Sequence, residues 1–134
     1  MDKQKILIVD DEPGIRLIVS RILEEEYMVL EAADGEEAID IAKGQQPALI
    51  LMDLMMPKMD GYTSCLNLKS DQATKGIPVI MLTGIGHKLN KRFAAEMGAD
   101  GYITKPFTRD SLHEGIKRLL VSSQQPVCEQ TTSE

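Results

Sequence analysis

Apolar positions along the chain keep two rhythms. In the first they run without alternation: residues 5–9 read KILIV, 48–52 read ALILM and 78–82 read PVIML. Unbroken runs of strand length suit strands covered on both faces, as in a parallel sheet with helices on either side. Two further stretches, 27–31 and 100–104, complete five expected strands. The second rhythm returns every three to four residues and predicts helices. One runs from about 14 to 26 with Ile15, Ile18, Val19 and Ile22 on one face. A second covers 36–43 with Ala38, Ile39 and Ala42 inward, and a third covers 62–70 with Cys65, Leu66 and Leu68 apolar. A fourth covers 87–97 with Leu89, Phe93 and Met97 in line, and a fifth runs to about 121 with Leu112, Ile116, Leu119 and Leu120 on one stripe.

The punctuation agrees with this division. Pro13 suits a first helical turn, and the acidic residues before it favour the positive end of the helix dipole. Asp34 and Thr108 are expected N-caps, Gly44 a C′ residue, Gly76 a breaker and Gly98 a cap. Pro57 cannot sit in a central strand, and Asp60-Gly61 is turn chemistry that can open a helix. Five strands alternating with five helices imply right-handed crossovers and a doubly wound α/β parallel sheet.

At 134 residues the chain is long enough for one core, expected over residues 1–121. Residues 122–134 (SSQQPVCEQTTSE) lose the apolar rhythm and read as a polar tail or the start of a linker. Without Trp, and with two Phe and three Tyr, the core rests on aliphatic residues and Met. A net charge of −6 argues against nucleic acid binding by this domain, because phosphate backbones call for a basic footprint. No apolar run approaches the roughly 18 residues that span a bilayer, and the N-terminus shows no signal-peptide pattern. Cys65 reads as a buried small hydrophobe and Cys128 as a tail thiol, too few for a disulfide framework. A reducing cytoplasm fits these features.

The chemistry gathers where strands end. Asp10 and Asp11 follow the first strand, Asp53 ends the third, Thr83 the fourth, and Lys105 follows the fifth. In a sheet ordered 2-1-3-4-5 the first and third strands are neighbours, so the three carboxylates meet at the topological switch point. Each close pair repels by about 1 kcal/mol in water-like surroundings and about 4 kcal/mol at an effective dielectric near 20. A cation there, or a proton taken up by a carboxylate, relieves the repulsion. A hard divalent ion with oxygen ligands is a natural guest. Ammonium and hydroxyl groups opposite suit phosphoryl oxygens, so the set reads as an aspartyl-phosphate site. Taken singly, each residue has a plainer reading: helix-cap carboxylates for Asp10 and Asp11, a strand end facing water for Asp53, a solvated charge for Lys105, a cap for Thr83. Only their joint placement is specific.

ILIVDDEP (6–13), DLMMPKMDG (53–61), PVIMLTG (78–84) and GADGYITKPF (98–107) together resemble the receiver domain of two-component response regulators, over about residues 4–121. The resemblance implies a flavodoxin-like fold with helices on both faces of a five-stranded sheet. It implies that Asp53 accepts a phosphoryl group from a sensor histidine kinase or histidine phosphotransfer protein. Asp11, Asp53 and the backbone carbonyl of Met55 are implied to bind Mg2+ (or Mn2+), with Asp10 acting through a metal-bound water. Thr83 and Lys105 are implied to contact the phosphoryl oxygens, Thr83 and Tyr102 to form the switch, and Lys105-Pro106 to be a cis peptide. The chain is then a signalling switch with weak autophosphatase activity rather than an enzyme acting on an outside metabolite. Its output face comprises the fourth helix, fifth strand and fifth helix: residues 87–97, Tyr102 and 109–120. His87, Lys88, Lys91 and Arg92 on that face suit an acidic partner or a homodimer, or simply a solvated helix. Met55 and Ile85 beside the site are apolar and cannot orient an attacking water, so slow dephosphorylation is expected.

Other functions compete. A Mg2+-dependent phosphatase of the haloacid dehalogenase type also uses a strand-end Asp, but favours a second Asp where this chain has Met55. A flavin binder of the same sheet order needs a phosphate-friendly first loop, whereas Asp10, Asp11 and Glu12 repel phosphate. An unphosphorylated interaction module has no use for the acidic set. The chain is expected to be a stand-alone regulator or a piece ending at a linker.

Overall fold

The structure is a computed structural model that describes residues 3–53, 61–83 and 98–124, without the side chains of Tyr62, Thr83 and 121–124. Five parallel strands form one sheet: β1 (Gln4–Val9), β2 (Tyr27–Ala32), β3 (Leu49–Asp53), β4 (Val79–Thr83) and β5 (Gly101–Thr104). Their order is β2-β1-β3-β4-β5, as expected. Among the described residues the helices are α1 (Pro13–Leu23), α2 (Gly35–Gln45), α3 (Gly61–Ser70) and α4 (Arg109–Gln124). The helix expected over 87–97 lies outside the described residues.

The unbroken apolar runs have a direct explanation in the two cores. Leu7 and Val9 of β1 face one side with Ile50 and Met52 of β3, under Ala38 and Ala42 of α2 and Cys65 and Leu68 of α3. Ile6 and Ile8 face the other side with Leu49 and Leu51, under Val19 and Leu23 of α1 and Leu112 and Ile116 of α4. A strand with both faces covered cannot alternate, and each large buried side chain contributes roughly 1.5–3 kcal/mol.

Several element ends differ from expectation. On α1 it is Val19 and Leu23 that are buried, whereas Ile18 is 50% exposed. Gly44 lies inside α2, and Gln46 takes the left-handed cap position at φ 47°. Its side-chain amide donates to the carbonyls of Ala42, Lys43 and Ala73, a tertiary anchor that fixes the turn without glycine. Helix α3 does end at Ser70, as expected, and there Ser70 Oγ donates to the Leu66 carbonyl and Thr74 Oγ1 to that of Leu68. Leu66 itself is exposed. Strand β5 starts at Gly101, one residue late, and α4 reaches Gln124 rather than 121. Asp34 caps α2 by accepting from the Glu37 N–H at 2.9 Å, and Thr108 Oγ1 accepts from the Ser111 N–H at 3.0 Å. Gly98 has φ +94°, and a Cβ there would press on Lys69 Cγ at 3.0 Å.

Candidate functional site

Strands β1 and β3 lie side by side, with Val9 opposite Met52, so the chain leaves both at the same edge. Asp10 and Asp53 leave that edge nearly without solvent exposure, at 0% and 6%, while Asp11 is exposed. One carboxylate oxygen from each of the three lies within 4.8 Å of the others. This is a donor set of oxygens alone, the chemistry of a hard divalent cation. Lys105 follows β5 and reaches across the end of β4. Its Nζ lies 3.0 Å from Asp53 Oδ1 and 3.3 Å from Asp10 Oδ2.

The charges in this cleft act on one another. Burial pushes the Asp53 carboxyl above its ordinary range. The hydrogen bond and charge of Lys105 pull it back, the negative charges of Asp10 and Asp11 push it up again, and the net direction is upward. Burial would lower the Lys105 ammonium, but its hydrogen bond to Asp53 and the charges of Asp53 and Asp10 outweigh that and raise it. Lys105 therefore stays charged at neutral pH.

Local hydrogen bonds hold the acidic loop. The Asp10 N–H donates to the Ala32 carbonyl at 3.1 Å, and Asp10 Oδ1 accepts the Glu12 N–H at 2.9 Å. Glu12, the N-cap residue of α1, makes no side-chain cap. Arg16 was not singled out in the sequence, yet its Nη1 donates to the Asp10 carbonyl at 2.6 Å while its Nε meets Glu31 Oε1 at 3.0 Å. The available hint was position alone: six residues past Asp10, one turn into the helix.

Thr83 ends β4 opposite Thr104, and its side chain lies outside the described residues, as do Met55 and Ile85. Tyr102 stands on β5 opposite Met81, 42% exposed. The Lys105-Pro106 peptide is cis. Beside the site a pocket of about 440 Å³ is lined by Ile15, Ile18, Lys105, Pro106 and Phe107. Among the described residues no helix is long and apolar enough to cross a membrane.

The fold and the cleft define a doubly wound α/β domain with an acidic site at its switch point, faced by one lysine. Residues 6–117 match the family described as the response regulator receiver domain. The chain belongs to that family: it is a receiver domain of the two-component response regulators, and not a phosphatase of the haloacid dehalogenase type. It is 44% identical over 117 residues to the DNA-binding dual master transcriptional regulator RpaA of a Synechocystis strain, covering 87% of this chain and 48% of the relative. A CheY-like response regulator receiver domain protein from Methanospirillum hungatei JF-1 superposes with a TM-score of 0.85 at 33% identity, over 92% of this chain and 98% of the other. The receiver domain of sensor histidine kinase PA1611 from Pseudomonas aeruginosa PAO1, solved with a magnesium ion coordinated in its active-site cleft, superposes at 0.82 with 30% identity, over 90% and 99%. The chain spans about half the length of the curated relatives it matches.

Proposed function

We propose that Asp53 is the phosphoacceptor of this receiver domain. An oxygen of its carboxylate attacks the phosphorus of a phosphohistidine on a sensor histidine kinase or phosphotransfer protein. The new P–O bond forms as the P–N bond breaks, and the imidazole leaves and takes its proton from solvent. The observation that carries this reading is the meeting of Asp10, Asp11 and Asp53 within 4.8 Å with Lys105 Nζ 3.0 Å from Asp53. Mg2+ (or Mn2+) would suit the oxygens of Asp10, Asp11 and Asp53: Asp11, Asp53 and the Met55 carbonyl would hold it, and Asp10 would act through a water. When bound, the ion spreads the charge that builds on the phosphoryl oxygens. The magnesium in the related PA1611 cleft supports the same ion here.

Lys105 and Thr83 take the remaining phosphoryl oxygens. The added charge of about −1.5 to −2 draws them inward and shifts a two-state equilibrium in which Tyr102 turns in with Thr83. Residues 87–97, β5 and α4 then change as an output face, which also serves a homodimer. The pocket at Ile15, Ile18 and Phe107 borders Lys105 and gives the phosphodonor protein an apolar rim to dock on. Weak self-hydrolysis of the acyl phosphate returns the domain to rest, in a cytoplasmic setting.

The test is mass spectrometry after incubation with Mg2+ and a small acyl phosphate. The expected result is a gain of one phosphoryl group, absent when the metal is chelated and absent in Asp53→Asn. A gain that survives in Asp53→Asn rejects the assignment.

A further inference from the structure

We infer that Arg16 is a positioning residue for the acidic site: its guanidinium ties the Asp10 carbonyl to Glu31, and so sets the spacing of Asp10 and Asp11 against Asp53. The inference rests on the phosphoacceptor reading above. Three elements meet in this contact. Asp10 leaves β1, Arg16 sits in the second turn of α1, and Glu31 lies on β2 opposite Ile8. Nη1 reaches the Asp10 carbonyl at 2.6 Å and Nε reaches Glu31 Oε1 at 3.0 Å. Ser20 Oγ adds a longer contact to Glu31 Oε2 at 3.4 Å. The Arg16 side chain is only 18% exposed, so the guanidinium is held rather than waving in solvent.

Every polar group of Asp10 is engaged. Its N–H goes to Ala32, its two carboxylate oxygens to the Glu12 N–H and to Lys105, and its carbonyl to Arg16. Of the first three, only the Glu12 N–H bond spans the peptide between Asp10 and Asp11, and it does so through the side chain without holding that peptide's own carbonyl. The fourth pins that peptide, and with it the direction in which Asp11 departs. A guanidinium can do this because it donates from two different nitrogens, Nη1 and Nε, along two fixed directions at once, whereas a lysine gathers its donors on one nitrogen at the end of a flexible stem. Groups that orient metal-binding carboxylates matter to affinity although they never touch the ion.

The sign of the effect separates positioning from charge. Removing a nearby cation strengthens binding of another cation by Coulomb's law. Removing a positioning group weakens it. A role in stability alone leaves it unchanged once the protein is folded.

The experiment is calorimetric titration with Mg2+ of the wild-type chain, Arg16→Met, Arg16→Lys and Glu31→Leu, each checked for folding by circular dichroism. Amide exchange at Asp11 and Glu12 is measured in parallel without metal. Expected are a dissociation constant raised about tenfold in Arg16→Met, a similar rise in Arg16→Lys, a smaller one in Glu31→Leu, and faster exchange at Asp11 and Glu12 in all three. Affinity equal to or tighter than wild type in folded Arg16→Met overturns the inference and leaves the phosphoacceptor reading standing. Full affinity in Arg16→Lys overturns it too, because the two-directional bridge from the Asp10 carbonyl to Glu31 is then not needed. A wild-type chain that binds no Mg2+ overturns the phosphoacceptor reading and this inference together. Should Arg16→Met fail to fold, Glu31→Leu decides: unchanged affinity and exchange there overturn the inference.

Discussion

At the scale of single residues, the site is built from groups that the fold holds at a cost. Burial and the two neighbouring carboxylates raise the Asp53 carboxyl above its ordinary value against the pull of Lys105. A carboxyl with a raised pKa favours the folded state while protonated. That contribution is full below the unfolded value and is lost as pH rises through the folded one. At neutral pH the ionised group therefore opposes folding. Asp53→Asn is expected to raise the urea midpoint of the metal-free chain, by a free energy on the order of 1 kcal/mol. The advantage over wild type should shrink as pH is lowered toward the carboxylate range, and a midpoint that falls instead refutes this account. Cys65 gives a second expectation. Burial pushes its thiol up to about 11. At pH 8 only about one molecule in a thousand is then thiolate, the form that reacts. In a Cys128→Ser background, iodoacetamide should leave Cys65 unmodified in buffer and label it in urea, as read by intact mass. The buried state of Cys65 was legible from the sequence as an apolar position on a helix, and the strand-end acids were legible as polar stops on apolar runs. Arg16 was not, because a surface-helix arginine has no local mark that tells which carbonyl it will reach.

At the scale of elements, the strands and the end of α3 were legible, while the ends of the other helices were not. An unbroken apolar run signals a strand covered on both sides, and β1, β3 and β4 each have one. The end of α2 depends on Gln46 reaching Ala73, a long side-chain bond that overrides the local preference for glycine. The exposed Ile18 and Leu66 show the same limit: periodicity marks an apolar face but not how much of it the sheet covers. The joint between α3, β4 and β5 is likewise made by distant polar groups. Lys69 Nζ donates to the Ile77 carbonyl at 2.7 Å and to Asp100 Oδ2 at 2.8 Å, and the same oxygen accepts the Val79 N–H at 2.8 Å. The ion pair is partly exposed and contributes little by itself. The Val79 N–H is different, since it opens a central strand and is left partnerless when the carboxylate goes. Asp100→Ala is therefore expected to destabilise the fold by about 1–3 kcal/mol, the cost of an unsatisfied buried donor. Asp100→Asn, which keeps an acceptor oxygen, should lose less than half as much. Urea unfolding measures both, and equal losses would locate the effect in the ion pair instead.

At the scale of the whole molecule, the site draws its groups from three different strand ends, so it exists only while the sheet is intact. Asp10 and Asp53 come from adjacent strands, but Lys105 comes from β5, with β4 between it and β3. An unfolded chain separates Asp10 from Lys105 by 95 positions and offers no such cluster. A cation that binds the cluster must then stabilise the entire sheet, not the loops alone. Binding to the folded state adds RT ln(1 + [L]/Kd), about 2.7 kcal/mol at a hundred times the dissociation constant. Saturating Mg2+ is thus expected to raise the melting temperature of the wild-type chain, and chelation to return it. Asp11→Asn and Asp53→Asn should blunt the rise. The two readings of such a rise differ in amide exchange. If the ion only orders the ends of β1 and β3, protection increases at Asp11 and Glu12 and stops there. If the cluster and the sheet form one cooperative unit, Ile8 and Leu51, buried at the strand centres, gain protection by the same free energy as global unfolding. The second outcome is expected, because strands buried on both faces cannot open at their centres while the rest stays folded.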